Sequence, residues 1–138
     1  MGANSFIHQH RVSYAETAPS DHVYFSRYLE MIEECRGEFF RTIGLSLKDL
    51  YDSDGVQFPV RDCHIRYHGS ARHDDLIQIT ATLGVIKRAR ITLFYEIHRD
   101  RELLISAEIE HACIEKEGKP TRFPADLLER MSPYQRSV

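Results

Sequence analysis

The sequence predicts an α+β fold in which one long helix lies on one face of a curved antiparallel sheet. Two observations carry this. Apolar residues recur with helical spacing between Tyr24 and Ile43, then alternate in the manner of strands from Val56 onward. The strand-like runs of the second half are joined by segments short enough for hairpins. With 138 residues, 42% of them hydrophobic, the chain can bury a core without disulfide or metal staples.

His10-Arg11-Val12-Ser13-Tyr14 alternates as a short strand, and Thr17-Ala18-Pro19-Ser20-Asp21 reads as a loop ending in helix-capping residues. From Tyr24 to Ile43 the positions Phe25, Tyr28, Leu29, Ile32, Cys35, Phe39, Phe40 and Ile43 form a broad apolar face. Gly44 supplies the stop. A short second helix follows, with Ser46 as cap and Leu47, Leu50 and Tyr51 as its apolar side. Asp52-Ser53-Asp54-Gly55 ends it as a turn. Val56, Phe58 and Val60 alternate, and Cys63, Ile65 and Tyr67 alternate in the opposite phase, which predicts a bulge near Arg61-Asp62. Leu76–Ile86, Ala89–His98 and Leu103–Glu115 are three more strands, giving about four after the helices. Glu117-Gly118-Lys119-Pro120 breaks the last one, and Pro124–Met131 forms a final helical turn or two.

Eighteen basic against 21 acidic residues leave a net charge of −3, which argues against general nucleic-acid binding. No apolar run reaches the ~20 residues that span a bilayer. Met1 to Arg11 lacks the apolar stretch of a signal peptide. Cys35, Cys63 and Cys113 are far apart and form no C-x-x-C pair, so a reduced cytoplasmic setting is expected. The expectation is one domain over residues 1–138, with a core from about 10 to 128 and a pocket completed by a second subunit.

Eight histidines raise the question of metal. His8 and His10 lie in a polar terminus read as mobile. His64 and His68 are about 13 Å apart by strand rise. His73-Asp74-Asp75 is a loop triplet without a partner motif. No metal and no cofactor is expected. Gly-rich phosphate loops and a G-x-S-x-G elbow are absent from the sequence. Cys35 sits on or beside the apolar helix face, as a structural cysteine does.

The stretch from Thr17 to Arg36 is richer. Unpaired N–H groups at the start of a long helix attract an anion or a developing oxyanion. Asp21 is either an N-cap or a base that orients water, and His22 is either an exposed loop residue or a group titrating near neutrality. Arg36, beside the apolar stripe, pairs with Glu33 three residues back or faces a substrate.

These residues resemble hotdog-fold acyl thioesterases of the 4-hydroxybenzoyl-CoA thioesterase group, especially the bacterial acyl-CoA thioesterases. The matching stretches are Arg11-Val12-Ser13-Tyr14, Glu16-Thr17, Val23-Tyr24, Tyr28-Leu29, Glu33 with Cys35-Arg36-Gly37-Glu38, Ala71-Arg72-His73-Asp74-Asp75-Leu76, Lys119-Pro120 and Phe123-Pro124. The resemblance implies a thioester hydrolase acting on an acyl-CoA or acyl-carrier-protein substrate, as a homodimer or homotetramer with sites between subunits. It implies substrate contacts at Thr17, Tyr24, Phe25 and Tyr28, with the oxyanion held by the backbone N–H near Phe25. A patch of Arg72, Lys87, Arg88 and Arg90 suits a phosphate-bearing carrier.

One departure stands out. The family's catalytic aspartate, ten residues before the tyrosine matching Tyr28, falls on Ala18. The histidine after the first tyrosine is Phe25. The enediyne polyketide thioesterases are similar in lacking the acid, and their C-R-E-x-F element resembles Cys35-Arg36-Gly37-Glu38-Phe39, but their asparagine is also Ala18 here. The expected catalytic set is therefore Asp21, His22 and Arg36. The alternative, favoured by Ala18, is a non-hydrolytic acyl-thioester-binding module on the same fold.

Overall fold

The computed structural model describes residues 4–136. Its main sheet contains β1 (Phe6–Arg11), β3 (Val60–Tyr67), β4 (Leu76–Ile86), β5 (Arg90–Arg99) and β6 (Glu102–Ala112), all antiparallel in the order β1-β4-β5-β6-β3. A separate ribbon pairs β2 (Val56–Gln57) with β7 (Ile114–Glu115). The helix α1 (Arg27–Thr42) lies on the inner face, with α2 (Leu47–Asp49) and α3 (Ala125–Met131) beside it. Of residues 1–11, read as lacking a signal stretch, the first three lie outside the described residues.

Alternation along the central strands builds the core. Ile77, Ile79, Ala81 and Leu83 of β4 face inward, as do Ile91, Leu93, Tyr95 and Ile97 of β5. They meet Tyr28, Met31, Ile32, Cys35 and Phe39 on α1. Burying each large side chain stabilises the fold by roughly 1.5–3 kcal/mol. Helix direction is fixed by three contacts: Tyr28 reaches Ala71, Cys35 lies over Ile79 and Phe39 stacks on Phe6 at 5.2 Å. Accordingly α1 runs parallel to β4 and antiparallel to β1.

Gly44 stops α1 as expected. Its φ of 86° is left-handed, and a Cβ there would meet the Arg130 guanidinium, which donates to the Ile43 carbonyl at 2.7 Å. Ser46 caps the next helix by accepting the Asp49 N–H. The predicted bulge is present as a register shift between Val60 and Asp62.

Three boundaries differ from expectation. The first strand begins at Phe6, pairs with β4 along its length and is no mobile terminus; Tyr14–Glu16 is a 3₁₀ turn. The strand lacked an apolar period because its inward residues after Phe6 are His8 and His10. The helix starts at Arg27, since Val23 and Tyr24 spend their N–H groups on Ala71 and Glu16 carbonyls across a hairpin. The final run divides at Cys113, after which Ile114 and Glu115 pair with β2. The main sheet therefore has five strands, with β1 and β3 at its edges.

Candidate active site

The loop before α1 is a small hairpin. Glu16 accepts the Tyr24 N–H at 3.0 Å, Thr17 bridges Val23, and Ala18 donates to the His22 carbonyl at 2.7 Å. Pro19 and Ser20 form its tip, with Ser20 and Asp21 both left-handed at φ 76° and 69°. Non-glycine residues held there carry local strain, which functional loops often do. Asp21 is exposed at this turn and is not the N-cap, because the helix starts at Arg27 with Ser26 in that position. His22 is half-buried and bridges Arg72. Thr17 donates its hydroxyl to the Tyr14 carbonyl at 2.7 Å.

Below the hairpin, the mouth of α1 is open and aromatic. Tyr24 and Phe25 are 51% and 58% exposed, and their rings lie 4.9 Å apart. Tyr67, on β3, closes the group edge-on to Phe25 at 6.3 Å and donates its hydroxyl to the Phe25 carbonyl at 3.3 Å. Among the described residues the Phe25 and Ser26 N–H groups enter no backbone hydrogen bond, whereas those of Tyr24 and Arg27 on either side do. A donor without a backbone partner beside a helix start is the element an oxyanion needs. Tyr28 does not belong to this surface. Its ring is buried, and its hydroxyl is occupied by the Ala71 N–H at 2.9 Å, a rivet between α1 and the β3–β4 connection.

Arg36 lies nine residues beyond Arg27, about 14 Å along the helix. It does not meet Asp21 or His22 within one chain. Its guanidinium donates to Glu33 at 2.7 Å, as the i,i+3 spacing predicted, and to the Phe58 carbonyl at 3.0 Å. A third contact, at 3.4 Å, goes to Nδ1 of the buried His111. Burial first, then the neighbouring cation, pushes the His111 pKa down to about 4, so the ring is neutral and can accept from Arg36. Arg36 also lines an open cleft of about 430 Å³ with Leu47, Tyr51, Gln57, Phe58 and Pro59. The ion-pair expectation for Arg36 holds, and the same side chain lines this cleft.

The basic patch does not form within one chain. Arg72 sits beside His22 at the helix mouth, and Arg99 at the same end binds Asp75 at 2.8 Å. Arg90 opens the same strand nine residues earlier, about 30 Å away. Lys87 and Arg88 lie with it in the β4–β5 joint. Sequence proximity of Lys87, Arg88 and Arg90 was informative, but strand direction separates them from Arg72.

A charged chain that the sequence reading passed over lies behind the hairpin. His8 and His10 both reach one Glu34 oxygen, at 2.7 and 3.0 Å, and His10 Nε2 reaches Glu16 at 2.8 Å. Glu16 also accepts the Ser13 N–H at 2.8 Å. The i,i+2 spacing of two histidines on a strand was the available signal. Among the described residues no group of three or more His, Cys, Asp or Glu side chains is arranged to hold a metal ion. Cys35 is no nucleophile: burial pushes its thiol up to about 12.

Comparison with known proteins agrees with the geometry. Residues 12–131 match the family model of the thioesterase-like superfamily. The chain is 30% identical over 125 residues to the acyl-CoA thioesterase YbgC of Haemophilus influenzae, covering 90% of this chain and 92% of that one. A probable thioesterase from Bartonella henselae superposes with a TM-score of 0.84 at 34% identity, over 88% of this chain and all (100%) of the other. The dynemicin thioesterase superposes at 0.87 with 24% identity, over 98% and 100% of the two chains, a likeness of fold.

Proposed function

Since the chain belongs to the thioesterase-like superfamily and is a thioester hydrolase of the hotdog fold, we propose that it cleaves acyl-CoA thioesters at the mouth of α1, in a cleft shared by two copies. The observation that carries the location is the Phe25 N–H, free of any backbone partner among the described residues, in an exposed residue beside exposed Tyr24. The thioester carbonyl oxygen approaches that N–H, which stabilises the negative charge of the tetrahedral intermediate. Water attacks from the hairpin side, oriented by His22 or Asp21, and the thiolate of the carrier leaves. Thr17 and Tyr24 border the acyl group, and Phe25 and Tyr67 exclude bulk water.

The second copy follows from the edge strand. Along β3, from Val60 to Tyr67, only Ile65 is even partly buried. Its Tyr67 end touches Phe25, and its Val60 end pairs with His111, close to Arg36 and Phe58. Two such strands paired antiparallel about a two-fold axis set the Val60 end of one against the Tyr67 end of the other. The cleft containing Arg36 then faces the open helix mouth of the neighbouring copy, so Arg36 acts in trans on the carbonyl or the released carboxylate. The same pairing carries Arg88 and Arg90 toward that mouth, where Arg72 waits, and the three suit the phosphates of CoA or of a carrier-protein arm. The assembly is a homodimer or a dimer of dimers, built from one domain used twice. Free Cys35, Cys63 and Cys113 support a reducing cytoplasmic setting.

Thiol release from CoA and carrier-protein thioesters tests this for Asp21→Ala, His22→Ala and Arg36→Ala. Loss of about 10²-fold or more in kcat is expected for whichever group orients water. Unchanged rates in all three would remove the residue assignment. An obligate monomer by sedimentation with full activity would remove the shared cleft.

A further inference from the structure

The imidazole–carboxylate chain His8–Glu34–His10–Glu16 spans three elements: β1, α1 and the 3₁₀ turn Tyr14–Glu16. Its central ring is engaged on both nitrogens. Nδ1 meets Glu34 at 3.0 Å and Nε2 meets Glu16 at 2.8 Å. Carboxylates only accept, so both ring nitrogens must donate, and only an imidazolium does that. The opposing strand β4 adds no charge here, because His10 stands across from Ile77 and His8 from Ile79, with Gln78 between them.

Glu16 connects this ring to the candidate oxyanion donor. Its carboxylate is fixed by His10 and by Ser13, while its carbonyl accepts the Tyr24 N–H at 3.0 Å. The next amide in the chain is that of Phe25. Glu16 is therefore too occupied to serve as a base, while its carbonyl anchors the residue just before Phe25.

We propose, building on the thioesterase reading above, that His10 is a positioning residue: as an imidazolium held between Glu34 and Glu16, it locks the Glu16–Tyr24 rung and so aims the Phe25 N–H at the thioester carbonyl. The electrostatics agree in direction. Burial alone would lower the His10 pKa, but hydrogen bonds and charge from Glu16 and Glu34 outweigh it and raise the pKa above the ordinary value. Glu34 is correspondingly lowered: burial opposes this, but His8 and His10 prevail. A group whose folded pKa is raised contributes fully below its unfolded pKa, and its contribution is lost as pH rises through the folded pKa. The lock is therefore closed below the raised His10 pKa and released as pH rises through it.

The experiment combines two readouts on the full chain. Backbone amide shifts of Tyr24 and Phe25 are followed by NMR through the His10 titration, in wild type and in His10→Gln. In parallel, kcat and KM for a CoA thioester are measured across the same pH range, with Glu16→Gln as a second variant. The expected result is a Phe25 amide that titrates with the His10 ring in wild type and not in His10→Gln. A fall in wild-type kcat as pH rises through the His10 titration should be absent from the variant, whose kcat is lower by about tenfold with KM little changed. A Phe25 amide blind to His10, or a variant with the wild-type kcat profile, overturns the proposal. If the wild-type chain releases no thiol from any CoA thioester, the thioesterase reading fails instead, and the amide titration alone decides whether His10 positions Phe25.

Discussion

The two ends of α1 differ in how far the chain completes them. In its second half, Phe39 and Phe40 are buried against Phe6, Phe58 and Tyr134, and Arg36 is tied to Glu33, Phe58 and His111. At its mouth, Tyr24, Phe25 and Leu29 remain 51%, 58% and 38% exposed. Helical periodicity marks both ends as equally apolar. What differs is the cover: β1, α3 and the C-terminal turn close one end, while the other faces the bare edge of β3. An apolar face that its own chain leaves open is a place for substrate or a second copy.

This contrast yields graded expectations. The largest concerns the closed end: Phe39→Ala should cost about 3–5 kcal/mol in urea unfolding, because neighbours on all sides cannot collapse into the space. Next comes acid sensitivity. The His111 pKa is depressed to about 4 from 6.5, so its neutral burial contributes stability above the unfolded value and loses it as pH falls through the folded one. On the order of 3 kcal/mol should disappear between those limits, and His111→Gln should flatten that limb of the stability–pH curve. At the boundary between the ends, Tyr28→Phe leaves the Ala71 N–H without its partner and should cost about 1–2 kcal/mol. Faster exchange of the Ala71 amide would report it. Smallest in stability is the open end, where Phe25→Ala should stay within about 0.5 kcal/mol of wild type while KM for an acyl-CoA rises. A loss as large as that of Phe39→Ala would show that the mouth is as closed as the rest.

Most of the frame was legible from local chemistry. The change of period after Gly55, the phase switch at Arg61-Asp62 and the stop at Gly44 each arise from backbone rules that a short window of sequence obeys. The first strand was not, because its inward His8 and His10 are satisfied by Glu34 and Glu16, which lie six to 26 residues away in the chain. Periodicity counts apolar residues and cannot register a charged pair facing inward. Of the residues named for the candidate site, Thr17, His22, Tyr24, Phe25 and Arg72 lie together at one end. Tyr28 is set apart from them by burial, and Arg88 and Arg90, within one chain, by strand direction. Ala18 remains a half-buried residue of the hairpin with no chemistry to offer, which is why the amide of Phe25 carries so much of the proposed reaction.

The edge strand β3 has a consequence for the life of the chain before any substrate arrives. A row of unsatisfied backbone groups bordered by Val60, Cys63, Ile65 and Tyr67 is a template on which other newly made polypeptides could add indefinitely. Interspersed with these are the charged Arg61, Asp62 and Arg66, all exposed. Charges placed this way act as gatekeepers against amyloid-like growth, since a stranger's strand must bury them unmatched. The self-pairing proposed above and resistance to aggregation would thus draw on the same eight residues, and neutralising the charges would be expected to convert an orderly edge into an adhesive one.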